Sequence, residues 1–251
     1  MIRLERVDLL NPGQYFACCG LFELAHRAET GVTAHFEGTH FVLDTSLELG
    51  ALAKQVEAAS FVELVPSNAT SSPQHLGGAF DLRLDWWSDK SLKPWAGTMR
   101  GGRIARALRT QLAAALATRR PLDHAQVVLD EEGKKVEPFY FDARRGSNAQ
   151  ARDVGFSTDA IAMESLAVPA VEFLCLVGLQ RFRPRVTRRQ RVFEYSTWAG
   201  ALPVSLATVA CAGELPAAAT STFRFENAFR TDQRKHKAFS PAVPVTGDDD
   251  E

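Results

Sequence analysis

Apolar and charged residues alternate over residues 2–9, and this pattern predicts a strand at the start of the chain. Asn11-Pro12-Gly13 then ends the alternation. Asn11 is placed to cap a helix, and Pro12 occupies a favourable first helical position. We therefore predict a helix that continues to about residue 28.

The next segments extend this into an N-terminal unit. Residues 32–36 and 40–43 predict a hairpin that turns at Glu37-Gly38, residues 46–59 predict a second helix, and residues 61–65 predict a strand. The order β-α-β-β-α-β is ferredoxin-like, although folds with other strand pairings share it.

The rest of the chain predicts a second, mixed portion. Residues 66–78 offer little to bury and are interpreted as a mobile surface loop, although such loops also include functional ones. The clearest helix follows Gly101-Gly102, where apolar residues recur every four positions at Ile104, Leu108, Leu112 and Leu116. Residues 169–179 predict a buried helix, and strands are predicted at 80–87, 126–129, 137–142, 191–196, 203–210 and 221–225.

These elements predict an α+β protein with antiparallel sheets and packed helices. We expect a ferredoxin-like N-terminal half over 1–66, a flexible loop over 67–79, and a mixed α+β half over 80–243 packed on the first. The acidic end, 244–251, is predicted to be disordered.

Composition limits the class of protein. The 251 residues are 45% hydrophobic and 24% charged, as in ordinary globular proteins. The charged start argues against a signal peptide, and the most apolar run, 166–179, is too short to span a membrane. Four cysteines, of which Cys18 and Cys19 are adjacent, give no metal-binding pattern. We expect a reduced cytoplasmic protein with no disulfide, metal, cofactor or membrane contact.

Charge is sorted along the chain although its formal net value is only -1. Six arginines lie between Gln180 and Val192, and a second tract without acids runs from Asp89 to Asp123. Such local excesses of arginine favour binding to a phosphate backbone. The alternative is that both tracts pair with acidic residues from elsewhere in the fold.

The helix after Gly101-Gly102 sharpens this hypothesis. With its apolar stripe packed inward, Arg103, Arg106 and Arg109 are expected on the outer side. The two glycines offer a phosphate seat at the helix N-terminus, or simply a turn. The predicted nucleic-acid-binding residues are Lys93, Arg100, Gly101, Gly102, Arg103, Arg106, Arg109, Arg144, Arg145, Arg183, Arg185, Arg188, Arg189 and Arg191.

Catalytic signatures are absent from the sequence. It contains no GxxxxGK[ST], GxSxG, HExxH or GxGxxG motif. One alternative is an RNA-cleaving enzyme in which His26, on the first helix, acts as general base. We predict no catalytic residue.

Four groups of short motifs resemble a known family. They are residues 11–24 (Asn-Pro-Gly-Gln-Tyr-Phe onward), 92–97 (Leu-Lys-Pro-Trp-Ala-Gly), Phe141-Asp142 leading to 153–157 (Asp-Val-Gly-Phe-Ser), and 169–184 (from Pro-Ala-Val-Glu to Arg-Phe-Arg-Pro). In this order they resemble the reduced large subunit of type I-G (formerly I-U) CRISPR Cascade complexes.

The resemblance implies a non-catalytic subunit of an RNA-guided effector complex. The expected partners are guide RNA, target double-stranded DNA with its protospacer-adjacent motif, the backbone and RNA-processing subunits, and a helicase-nuclease. Two other hypotheses remain open at this stage: a repeat-RNA endonuclease using His26, and a structural protein whose arginines bind acidic protein neighbours.

Overall fold

A computed structural model of the chain describes residues 1–65, 72–85, 92–95, 99–146, 166–230 and 236–246. Within these ranges, antiparallel sheets pack around helices, which confirms the predicted α+β class. No helix of the described part is both long and apolar enough to cross a membrane.

The N-terminal elements follow the predicted order. They are β1 (Ile2–Leu4), α1 (Pro12–Ala28), β2 (Thr33–Glu37), β3 (His40–Asp44), α2 (Leu49–Ala58) and β4 (Phe61–Glu63). The Asn11 side chain caps α1 by accepting a hydrogen bond from the Gly13 amide at 3.1 Å, as predicted.

Strand pairing departs from a complete ferredoxin-like sheet. β3 lies between β1 and β2 in a four-stranded sheet. β4 is not part of this sheet, and the fourth strand is β11 (Leu202–Pro203), which pairs with β2. β4 instead joins β5 (Gln74–Leu76) and β6 (Leu82–Leu84) in a separate three-stranded sheet.

The remaining elements form the second portion. They are α3 (Gly101–Thr110), α4 (Leu112–Leu116), β7 (Gln126–Val127), α5 (Ala143–Gly146), β8 (Leu166–Ala167), α6 (Pro169–Arg181), β9 (Arg185–Val186), β10 (Val192–Trp198), α7 (Val204–Cys211), β12 (Ala219–Phe229), β13 (Lys237–Phe239) and β14 (Val243–Pro244). The C-terminal sheet has the order β13-β12-β10-β9, with β14 also on β12.

Two parallel helices, α1 and α6, form the centre of the core. Their N-terminal ends bind the same segment, since Asn11 and Glu172 both hydrogen-bond to Asp142. Their C-terminal ends are joined by an ion pair between Glu23 and Arg181. Both helices are buried on nearly all sides, so their sequences carry no polar face.

The stripe predicted on α3 packs inward as expected. Ile104, Leu108, Leu112 and Leu116 are all buried, although the helix is interrupted at Gln111 and continues as α4. Both pieces contact α6, so they extend the same core.

Three predicted elements were wrong. Residues 203–210 are mainly helix α7, whose buried Val204, Ala207 and Cys211 follow helical rather than strand spacing. Part of the predicted loop 66–78 is β5, the central strand of its sheet, because Gln74 and Leu76 are buried there.

The third error concerns residues 137–142, which were predicted to form a hairpin with 126–129 that turns at Glu131-Glu132-Gly133. The turn is present, since Leu129 pairs with Lys135 and the Val136 amide donates to the Val128 carbonyl at 2.9 Å, but 137–142 do not form the second strand. β7 pairs with β8. The amides of Phe141 and Asp142 donate to the carboxylate of Glu172 rather than to a neighbouring strand.

Some predictions fall outside the described residues. They are the loop at 66–71, the strand end at 86–87, Gly97, the motif at 153–157 and residues 247–251 of the predicted tail. The start of that tail was predicted to be disordered and is not, because Pro244 belongs to β14 and the Val245 amide donates to the Thr222 carbonyl at 2.8 Å.

Candidate nucleic-acid interface

The first two residues of α3, Gly101 and Gly102, serve packing. A Cβ atom on Gly101 would lie 3.3 Å from the Trp95 ring, and one on Gly102 would lie 2.7 Å from Glu63 Oε1. A carboxylate therefore sits against the start of the helix, where the predicted phosphate would have to bind. The phosphate seat at Gly101-Gly102 is accordingly corrected to a packing site.

The three arginines of α3 have different roles. Arg103 pairs with Asp130 through its Nε at 3.0 Å and a terminal nitrogen at 2.5 Å. Arg109 is half-buried and donates to the carbonyls of Val56 and Ala59, at 3.0 and 2.6 Å. Arg106 forms no hydrogen bond or ion pair with any described residue.

Arg109 was predicted to face outward, and this is wrong. It satisfies carbonyls at the C-terminal end of α2, which have no partner within that helix. Its guanidinium also lies 5.2 Å from the centre of the Phe61 ring. Burial lowers the pKa of Arg109, and repulsion from Arg106 adds to the effect.

A groove of about 270 Å³ lies over the outer side of α3. Arg100, Arg103 and Arg106 line it, but so do four carboxylates: Glu63, Asp130, Glu131 and Glu132. Because these acids repel phosphate, we do not regard the α3 arginines as a nucleic-acid surface.

Lys93, Arg144 and Arg145 were also predicted to bind nucleic acid, and all three contact other parts of the fold. Lys93 is positioned over the Trp95 ring, 5.1 Å from its centre. Arg144 binds Asp142 and Asp123, at 2.7 and 2.6 Å. Burial alone would lower the pKa of Arg144, but hydrogen bonds and charge from these two carboxylates outweigh it and raise the pKa. Arg145 is half-buried, and its amide donates to the Asp142 carbonyl at 2.8 Å.

A buried polar cluster near the N-terminal ends of α1 and α6 was missed from sequence. Asn11 donates to Asp142 at 2.7 Å, and Glu172 accepts from the Asp142 amide at 3.1 Å. Both carboxylates are fully buried. Burial and repulsion from Asp142 raise the pKa of Glu172 to about 8. The resemblance motifs that contain these three residues therefore meet in space.

The arginine tract at 183–191 forms a hairpin beside β10 and β12. Arg185 on β9 and Arg224 on β12 both bind Glu194, which lies between them on β10 and is buried. The Arg224 contact measures 2.7 Å. Sequence analysis missed Arg224, although its position between the buried Phe223 and Phe225 places it on the opposite side of a strand.

The turn of this hairpin is held by hydrogen bonds to two backbone carbonyls. Thr187 Oγ donates to the Val192 carbonyl at 2.9 Å, and the Val192 amide donates to the Arg189 carbonyl at 3.1 Å. Arg191 has a φ of 63°, in the left-handed region, which tightens the turn. Its guanidinium lies 4.7 Å from the Phe229 ring centre.

Two side chains extend from this turn. Arg188 is exposed and forms no ion pair with any described residue. The Arg189 side chain is 79% exposed and forms a long ion pair with Glu226 at 3.8 Å, and Arg191 forms a second one with the same carboxylate at 3.6 Å. We call Arg185, Arg188, Arg189, Arg191 and Arg224 the arginine face. Four of its five guanidinium groups share two carboxylates, Glu194 and Glu226, and the fifth, that of Arg188, pairs with neither. The exposed Arg183 precedes the face.

The chain matches no protein-family model, no curated protein and no solved structure. Its function must therefore be argued from the arrangement of its own residues.

Other candidate chemistry is sparse in the described part. No three His, Cys, Asp or Glu side chains of the described residues lie together as metal ligands would. His26 is half-buried in the last turn of α1, and no described residue hydrogen-bonds to its ring. All four cysteines are buried free thiols, and burial raises the pKa of Cys18, Cys19 and Cys175.

Proposed function

We propose that this chain is a non-catalytic, nucleic-acid-binding subunit of an RNA-guided effector complex of the CRISPR type I-G class. The observation that carries the proposal is the arginine face, which gathers five arginines around only two carboxylates, with Arg188 paired to neither. A surface with such a local excess of guanidinium groups binds phosphate well, since each planar group donates two parallel hydrogen bonds.

The paired and loosely paired arginines contribute differently. Arg185 and Arg224 compensate the buried charge of Glu194 and therefore stabilise the sheet. Arg188 and Arg189 remain available to a ligand. The ion pair between Arg189 and Glu226 is long, at 3.8 Å, and lies on an exposed surface, so it is weak and easily exchanged for phosphate. We infer that these two residues bind the backbone most strongly.

The wider assembly follows from the resemblance of the sequence motifs. In such a complex, guide RNA pairs with the target strand, and the protein holds the backbone of the nucleic acid. The partners proposed for this chain are guide RNA, target double-stranded DNA, the backbone and RNA-processing subunits, and the helicase-nuclease.

The test is a titration of the purified chain against fluorescent duplex DNA and repeat RNA at several salt concentrations. The double variant Arg188→Ala, Arg189→Ala should bind more weakly. The magnitude of its salt slope should fall by about 0.7 to 0.9 for each phosphate that the variant fails to bind. The matched control, Arg83→Ala with Arg119→Ala, removes two exposed arginines outside the face.

Three outcomes would contradict the proposal. Unchanged affinity and slope in the Arg188 and Arg189 variant would show that the face does not bind nucleic acid. Equal weakening in the control variant would indicate binding by overall charge alone. Cleavage of repeat RNA that is abolished by His26→Ala would favour the endonuclease hypothesis instead.

A further inference from the structure

The outer edge of β4 has backbone groups available for another strand. In the antiparallel pair β4–β5, the Leu64 amide donates to Pro73 at 2.9 Å and the Gly77 amide donates to Ser60 at 2.9 Å. Hydrogen-bonded positions alternate along such a pair, so Phe61 and Glu63 direct their amides and carbonyls away from β5. No described residue forms a backbone hydrogen bond with them on that side.

The side chains along this edge are unusually apolar for an exposed strand. Val62 is 52% exposed and Leu64 47% exposed, and they lie on the same side of the strand, with Val65 also exposed beyond them. Edge strands normally avoid further pairing by being short, or by carrying lysine, proline, a bulge or an inward-pointing charge. β4 is short and has Glu63 on its inner side, but its outer side carries the apolar Val62 and Leu64.

The opposite side of β4 faces the groove over α3. The Glu63 side chain lines that groove together with Arg100, Arg106, Glu131 and Glu132. A strand added next to β4 would therefore place alternate side chains against Val62 and Leu64, and the others at a groove carrying both signs of charge. Mixed charge suits a polypeptide and disfavours a polyphosphate.

We propose that the edge of β4 binds an extended segment of a partner protein, which adds to the β4–β5–β6 sheet as a fourth strand. The segment carries apolar side chains at alternate positions, packed beside Val62 and Leu64. Its intervening side chains are charged and pair with Arg100 and Arg106 or with Glu131 and Glu132. Backbone hydrogen bonds to Phe61 and Glu63 supply affinity, and the alternating side chains supply specificity.

This surface differs from the arginine face, so the proposal does not depend on nucleic-acid binding. The probe is a phage-displayed library of random twelve-residue peptides, selected on the purified chain. We expect enriched peptides in which apolar and charged residues alternate. Their binding should be weakened at least about tenfold by Val62→Lys with Leu64→Lys, the equivalent of roughly 1.4 kcal/mol.

The matched control is Val243→Lys with Leu206→Lys, which adds the same charges at exposed apolar positions on β14 and α7. Binding of the selected peptides should survive in this control. Failure to enrich alternating peptides, or equal weakening in both double variants, would overturn the proposal.

Strand addition is tested directly by methylating the amides of one selected peptide at every second position. One set of methylated positions should abolish binding and the other should have little effect, because only alternate amides of a strand face its neighbour. If both sets bind alike, the peptide does not add to β4 as a strand and the proposal fails.

Discussion

At the scale of single residues, several arginines serve this protein as internal partners for buried groups. Glu23 is held by Arg27 and Arg181, and Glu194 is held by Arg185 and Arg224. Arg181 lies 158 residues from Glu23 in sequence. A count of charge along the chain cannot reveal such distant partners. It correctly located a local excess of arginine, but could not say which arginines the fold already uses.

Arg109 illustrates this limit and yields a prediction. Arg109→Ala should lower the free energy of unfolding by about 1 to 2 kcal/mol, because it removes hydrogen bonds to the Val56 and Ala59 carbonyls. Arg106→Ala, one turn earlier and without such bonds, should change it by less than about 0.5 kcal/mol. Urea unfolding of both variants is the measurement. Equal effects would mean that Arg109 does not stabilise the end of α2.

Glu172 gives a second residue-scale prediction, on pH. Its pKa is raised to about 8 in the folded chain. At a pH between the unfolded and the folded pKa values, the folded protein keeps a proton on Glu172 that the unfolded protein has released. Stability from this group is therefore fully present below the unfolded pKa of about 4.3 and is lost as pH rises toward 8. The decline should reach at most about 1.4 kcal/mol per pH unit.

The measurement compares wild type with Glu172→Gln by urea unfolding between pH 5 and pH 9. Histidine titrations occur in both proteins and cancel in the difference. The advantage of wild type should shrink as pH rises and level off above about pH 8. A difference that is constant with pH would show that Glu172 is already ionised in the folded protein.

At the scale of elements, two glycines explain why α1 and α6 can pack so closely. A Cβ on Gly20 would lie 1.9 Å from the Leu174 carbonyl oxygen, and one on Gly178 would lie 2.1 Å from that of Phe16. The backbones of the two helices are therefore in direct contact. Sequence predicted both helices from length and apolar content. It could not predict their pairing, because helices that are apolar on all sides do not indicate which side meets which partner.

The contact predicts a strong effect of one methyl group. Gly20→Ala and Gly178→Ala should each cost about 3 kcal/mol or more, or prevent folding, since the backbones must move apart. Gly50→Ala is the matched control, because Gly50 lies in helix α2 with open space around its Cα. It should gain about 0.5 kcal/mol from helix propensity. Thermal unfolding of the three variants is the measurement. A Gly20→Ala variant that unfolds at the same temperature as the wild type would contradict the close packing of the two helices.

Among the other elements, the periodicity of hydrophobic residues predicted some helices and strands correctly and others wrongly. The order of β1 to β4 and the inward stripe of α3 were correctly predicted, because long periodic segments follow the core they bury. α7 was mistaken for a strand because residues 203–210 are short and apolar, and helix and strand patterns overlap there. β5 was missed because its place depends on β4 and β6, which supply partners that no local pattern records.

At the scale of the whole molecule, the near-zero net charge conceals two chemically different surfaces. The arginine face carries an excess of cations on the β9–β10 hairpin and β12, whereas the groove beside β4 mixes arginines with four carboxylates. Only the first suits a phosphate backbone, and only the second lies beside an unpaired apolar strand. The nucleic-acid-binding subunit that we propose would use the first surface for nucleic acid and the second for protein.

Because the arginine face and the β4 edge are separate surfaces, substitutions in one should not affect binding at the other. Arg188→Ala with Arg189→Ala should weaken nucleic-acid binding and reduce its salt slope, yet leave binding of the selected peptides unchanged. Val62→Lys with Leu64→Lys should weaken binding of the selected peptides and leave nucleic-acid binding unchanged, because the added lysines lie outside the arginine face. Neither pair should shift the unfolding midpoint much, since all four side chains are exposed and two are arginines that contribute little to folding. Titrations of both variants against both ligands, beside their unfolding curves, test this directly. If either variant fails to bind both ligands while remaining folded, the two surfaces act as one, and the division of labour proposed for this molecule is wrong.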